Sequence, residues 1–165
     1  PIIDASKTHL ELPFVGTLPK RYIKADKHRM SAYRRLTRVD SLNDLDAVVP
    51  DPPDAYGKPP PQAQVFIDIT EVRIAAAALA VDKLQLEGPD LIFMLRDVGQ
   101  AAAKLQAVFE GAPGRLTVLD NKTLYWRPPA RYIEEPATLL AVLRKLLVRP
   151  VRATNTPETD LPVEV

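Results

Sequence analysis

The chain offers few side chains in arrangements that could do chemistry. Its two histidines, His9 and His28, lie nineteen positions apart, and neither has a carboxylate or a second histidine at zinc-like spacing. Both fall within the first 28 residues, and no Gly-x-Ser-x-Gly elbow exists, so no Ser-His-Asp set can be built. The six glycines are isolated, whereas a phosphate-cradling loop needs them clustered ahead of Lys and Ser/Thr; this piece is therefore expected not to bind ATP on its own. Glu134 and Glu135 precede Pro136, where carboxylates favour a helix N-terminus rather than acid–base work. Asp51 and Asp54 sit among prolines and, as two carboxylates alone, make a poor cation site. Cysteine is absent, which excludes disulfides and thiolate metal centres and makes a reducing compartment the simpler assumption.

Basic side chains are the stronger signal. The net charge is only +1, yet residues 1–40 hold nine Lys/Arg against four Asp/Glu, and the acidic excess lies in the remainder. Lys27, Arg34, Arg35 and Arg38 fall in one helical segment and are the candidate partner-binding residues. Such a surface can meet an acidic protein face, contact phosphates as a nucleic-acid-binding module, or simply stay solvated. The segment Tyr125-Trp126-Arg127 with Arg131-Tyr132 has a faint look of a stacking platform for single strands. Adjacent strand residues point to opposite faces, however, so one ring must turn inward; Trp126 is expected to anchor the last helix.

These residues must be carried by elements the sequence can specify. A chain of 165 residues with 46% hydrophobic content suits one domain with a modest core. No apolar run approaches ~20 residues, and no secretory leader pattern is present. The chain opens on Pro1 and is expected to be a piece of something longer. Residues 1–24, punctuated by Pro13, Gly16 and Pro19, read as a linker and extended lead-in. Residues 26–39 read as a helix with Asp26 as N-cap and Met30, Tyr33 and Leu36 inward, extended by Val39; Arg29, Arg34, Arg35 and Arg38 lie mostly away from that stripe. Ser41 caps a second, weaker helix, which Pro50, Pro52 and Pro53 end.

Pro61 opens a third and longer helix, in which Val65, Ile69, Val72, Ala76 and Leu79 make a core-facing stripe. The run Ala75 to Ala78 suits either tight packing or a groove for a partner helix. Lys83–Leu86 and Leu91–Leu95 flank Gly88-Pro89-Asp90 as a hairpin, and Arg115–Leu119 and Thr123–Arg127 flank Asp120-Asn121-Lys122 as another. Helices over 98–110 and from Pro136 complete the set, with Arg144, Lys145 and Arg149 complementing the dipole of the last one. The expected fold is α+β: three N-terminal helices, then two β-hairpins alternating with two helices around a small antiparallel sheet. The domain spans 25–150, and 151–165 is expected to be a disordered tail.

The order and spacing of residues 18–86 resemble the C-terminal domain of the bacterial transcription-repair coupling factors, the Mfd family. Arg29-Met30-Ser31-Ala32-Tyr33-Arg34-Arg35-Leu36 is similar to the family's RLxLYKRL helix, and Leu42–Leu45 to its EELxxL helix. Asp54-Ala55-Tyr56-Gly57-Lys58-Pro59-Pro60 is similar to DRFGPxP, and Leu79-Ala80-Val81 to the family's LGI exit. Over 87–148 the likeness is one of pattern. Ala55 stands where the family has arginine, and Pro50, Pro52 and Pro53 shorten a helix that usually runs on.

The resemblance implies a cytoplasmic parent working in transcription-coupled nucleotide-excision repair. That parent would be a helicase-like, ATP-dependent DNA translocase that hydrolyses ATP, displaces stalled RNA polymerase and recruits the excision-repair protein UvrA. ATP would bind in other domains. The domain in hand would be a non-catalytic, autoinhibitory clamp docked on an N-terminal domain of the same protein, with no cofactor or metal of its own.

Overall fold

The computed structural model describes residues 4–49 and 57–154. A five-stranded sheet of order β1-β2-β3-β5-β4 is backed by helices. Its strands are β1 (His9–Glu11), β2 (Val81–Glu87), β3 (Asp90–Leu95), β4 (Arg115–Val118) and β5 (Thr123–Arg127). Both expected hairpins are present as antiparallel pairs, β2 with β3 and β4 with β5. The sheet is mixed rather than antiparallel, because β1 lies parallel to β2 with Leu10 opposite Leu84. Phe93, Leu91, Leu124 and Trp126 fill the helix-facing side.

Residues 4–24 are more than a linker. Besides β1, they contain a 3-10 turn, Ala5–Lys7, whose Ala5 N–H donates to Asp40 Oδ1 at 2.9 Å. The buried Thr8 hydroxyl donates to the Val81 carbonyl at 2.8 Å. Ala5, Leu18, Tyr22 and Ile23 are all buried. At Gly16 the backbone runs so close to Phe66 that a Cβ would collide with the Phe66 main chain, and Thr17 N–H reaches the Gln62 carbonyl at 3.1 Å.

Helix α1 (Asp26–Arg38) is capped differently from the expectation. Ala25 is the N-cap residue and gives no side-chain bond, while Asp26 pairs with Arg29 at 2.6 Å. Helix α2 (Leu42–Val48) has Ser41 as its cap, its hydroxyl accepting from Asp44 N–H at 3.0 Å. The segment after it, including Pro50, Pro52, Pro53 and Ala55, lies outside the described residues.

Helix α3 (Pro61–Ala78) starts on its proline as expected, but burial is not confined to the predicted stripe. Val72 and Ala76 are buried, yet Val65, Ile69 and Leu79 are only half-buried, and Ala63, Ile67, Ile74, Ala75 and Ala77 are buried as well. The helix is central, touching β2, α2, α1 and the 3-10 turn, and a helix covered on most sides needs no single apolar face. Its alanine run lets these neighbours approach closely.

Helices α4 (Ala101–Val108), α5 (Ala130–Glu134) and α6 (Pro136–Leu143) follow. Trp126 is buried, but its ring partner is Phe109 at the end of α4, at 5.0 Å between centroids, and its indole N–H donates to the Pro113 carbonyl at 3.0 Å. It therefore fastens the α4 end to the sheet. After α6 the chain passes through a π-helical turn, Arg144–Val148, into α7 (Arg149–Thr154).

Pro150 does not end the helical run. A proline lacks its N–H and its ring collides with the carbonyl four residues back. A π turn, seen here in the Arg149 N–H bond to the Arg144 carbonyl, widens the helix where that collision would fall. Residues 151–154 are thus helical rather than part of a tail, with Val151 buried; residues 155–165 lie outside the described residues.

Candidate interaction surface

Helix α1 is held by one face. Leu36 and Val39 are buried, and the Tyr33 hydroxyl accepts from Leu18 N–H at 2.7 Å while its ring meets Phe66 edge-on at 5.2 Å. Arg29, expected to lie outward, turns in: its side chain is 14% exposed and donates to the Ile23 carbonyl at 3.1 Å. Met30, expected inward, is 53% exposed.

Lys27, Arg34, Arg35 and Arg38 are all exposed, and none forms an ion pair with a described residue. The spacings of seven and four from Lys27 to Arg34 to Arg38 put these three on one helix face. Asp26 is the helix's only carboxylate, and Arg29 occupies it. Among the described residues, the outward face of α1 is therefore a strip of positive charge without carboxylate partners.

Arg35 stands on the flank of that strip, at the rim of an apolar cleft of about 120 Å³. Leu18, Tyr22 and Ile23 of the lead-in, Ala32 and Leu36 of α1, Val48 and Val49 at the end of α2, and Ile67 of α3 form its walls, and His28 shares the rim with Arg35. No local pattern in the sequence marks this cleft. Its only trace was apolar residues, Leu18, Tyr22 and Ile23, in a stretch read as linker.

Around Asp46 of α2 and Glu71 of α3 the charges are matched. Arg152 holds Asp46 through two bonds of 2.9 and 3.1 Å and reaches Glu71 at 3.5 Å, while Arg144 reaches Glu71 at 3.2 Å and Asp68 at 3.5 Å. The bonds from Asp46 hold the Arg152 guanidinium above its ordinary value. Arg73, by contrast, is pulled below its ordinary value by burial, offset in part by nearby Asp40.

Among the described residues no catalytic constellation emerges. His9 lies 3.2 Å from Glu11 on the exposed side of β1, and His28 lines the cleft without a carboxylate partner among the described residues. Among the described residues no group of three or more His, Asp or Glu could hold a metal ion, and no helix is long and apolar enough to cross a membrane. Tyr125 is half-buried on the sheet face away from Trp126.

Fold and surface together define an α+β domain with a mixed sheet whose distinctive outer feature is a basic helix beside an apolar cleft. The chain belongs to the transcription-repair coupling factor (TRCF) domain family, whose model matches residues 12–105. It is 29% identical over 125 residues to the transcription-repair-coupling factor of Mycobacterium bovis, a match covering 69% of this chain and 9% of that protein. Against the Escherichia coli factor it is 28% identical over 83 residues, half of this chain and 7% of the relative. The chain thus spans under a tenth of the curated relatives it matches. Its fold is similar to the crystal structure of the C-terminal domain of a transcription-repair coupling factor, with a TM-score of 0.65 at 15% identity, covering 90% of this chain and 96% of that one.

Proposed function

We propose that this domain is the regulatory C-terminal clamp of a transcription-repair coupling factor and acts by docking rather than by chemistry. Its parent is an ATP-dependent DNA translocase of the cytoplasm that displaces stalled RNA polymerase and recruits UvrA, and ATP binds in that parent's other domains. The clamp covers a surface on the parent's N-terminal domain and vacates it when repair is to be recruited. Lys27, Arg34, Arg35 and Arg38 face the partner.

The observation that carries the reading is the gathering on α1 of four exposed cations with no ion pair to a described residue. Arg127, Arg144 and Arg152 are matched by carboxylates, whereas these four stand outward together on one helix with no ion pair to a described residue. Tethering raises the effective concentration of the two surfaces to the millimolar range or above, so a weak contact suffices to hold the clamp shut. Such an interface is bistable and can be released by a competing partner.

The test is to replace Lys27, Arg34, Arg35 and Arg38 by Glu in a coupling-factor chain carrying this domain. Basal ATP turnover and UvrA binding are expected to rise together. Unchanged values for both, in a folded variant, would overturn the reading. A nucleic-acid role for the same helix is the competing account, favoured by the same unpaired cations. It requires duplex DNA to bind the isolated chain with affinity falling steeply between low and moderate salt.

A further inference from the structure

The cleft beside α1 adds what a charged strip alone lacks, a place for an apolar side chain. Its volume of about 120 Å³ is the room of roughly four waters, enough for one aliphatic or aromatic anchor. The walls are apolar and largely immobilised: Leu18, Tyr22, Ile23, Leu36 and Ile67 are all buried. On the α1 side the rim is polar, at His28, Ser31 and Arg35.

We infer that this cleft and the adjoining strip form one recognition site for an acidic protein segment with a single bulky apolar residue, the anchor entering the cleft and its flanking carboxylates meeting Arg35, Arg34 and Lys27. The inference rests on the docking role proposed above and names the chemistry of the partner's segment. Charge complementarity selects an anion, since the rim and strip carry cations without described carboxylate partners. The cleft selects among anions. A phosphate backbone has nothing to put into an apolar hole, whereas a short peptide gains from burying one side chain while its neighbours stay solvated, as in other anchor-and-groove recognition.

Arg35 is the hinge of the site, because it borders both parts. Arg35 lines the cleft together with Ala32 and Leu36 and is exposed to solvent, and a long cationic side chain can pack its stem on apolar surface while its head stays in water. Long-range attraction from the strip speeds encounter; the anchor sets how long the complex lasts.

The experiment uses the 165-residue chain and a short fluorescent peptide in which glutamates flank a central Leu-Phe pair. Fluorescence anisotropy is expected to show saturable binding, about tenfold weaker when the pair is replaced by Ala-Ala, the loss of one good anchor contact. Ser31→Phe, which fills the mouth while leaving every charge in place, should weaken binding by about the same factor. Arg35→Glu should weaken it further and reduce its salt dependence. Thermal melts of both variants report whether the fold is intact.

Equal binding of the Ala-Ala peptide would overturn the inference, reducing the site to non-specific charge. So would a DNA duplex that outcompetes the peptide at moderate salt, or no binding at all. If the charge reversals release the parent but the peptide fails, the docking role stands and the acidic-anchor partner falls. If neither responds, both fall.

Discussion

Ala80 sits at φ 65°, in the left-handed region where its Cβ crowds the following carbonyl. The family's exit motif has glycine at the corresponding place, and the reason is geometric. The Ala80 N–H bonds to the Ala77 carbonyl at 3.0 Å and its own carbonyl accepts from Arg96 N–H at 2.8 Å, so the backbone is fixed between α3 and β2. Ala80→Gly is expected to stabilise the domain by about 0.5–1 kcal/mol, because strain is relieved at the cost of some unfolded-state entropy. A denaturant melt with unchanged slope checks this, and a lower midpoint would contradict it.

At this scale the sequence was only partly readable. The Ser41 cap could be seen because a hydroxyl followed by an acid three residues on has a local meaning. Asp26 and Arg29 misled, since an arginine that folds back onto the Ile23 carbonyl depends on where the lead-in runs, which local pattern does not encode.

Among the elements, α3 and the π turn are joined through charge as well as through apolar contact. Glu71 is 7% exposed and stands between Arg144 and Arg152, which also hold Asp68 and Asp46. Removing one member of such a set leaves its partners underused, although both arginines reach solvent and this moderates the loss. Glu71→Gln should destabilise by roughly 1–3 kcal/mol. Combined with Asp46→Asn the effect should be non-additive, since both act on Arg152. A double-mutant cycle read by chemical denaturation measures the coupling; additive losses would show that the network is merely a set of independent pairs.

The hairpins were legible because alternation and turn residues are local signals. β1 was not, because its three residues acquire a strand's meaning only by lying parallel to β2, more than seventy positions away. Residues 151–154 read as the start of a tail for the same kind of reason. The sequence shows the missing N–H, but it does not show that Val151 has a buried site to reach.

Across the molecule, Arg144 and Arg152 are matched by Glu71, Asp68 and Asp46 and Arg127 by Asp90, while Lys27, Arg34, Arg35 and Arg38 of α1 form no ion pair with a described residue. The chain's family could be read from residues 18–86, because helix lengths, caps and prolines there occur in a set order, and its α+β class from the hairpins and helices that follow. The cleft could not be read, because its walls come from four separate stretches, the lead-in, α1, the end of α2 and α3. The central claim is that α1 and this cleft are the face turned to a partner.

Amide hydrogen exchange tests that claim directly, comparing the isolated chain with the same residues inside a coupling-factor chain that carries them. Protection is expected to rise over residues 26–38 and around Val48 in the longer protein, and to fall back when Lys27, Arg34, Arg35 and Arg38 are reversed to Glu. Identical exchange of α1 in both settings, with new protection appearing on another face, would contradict the account.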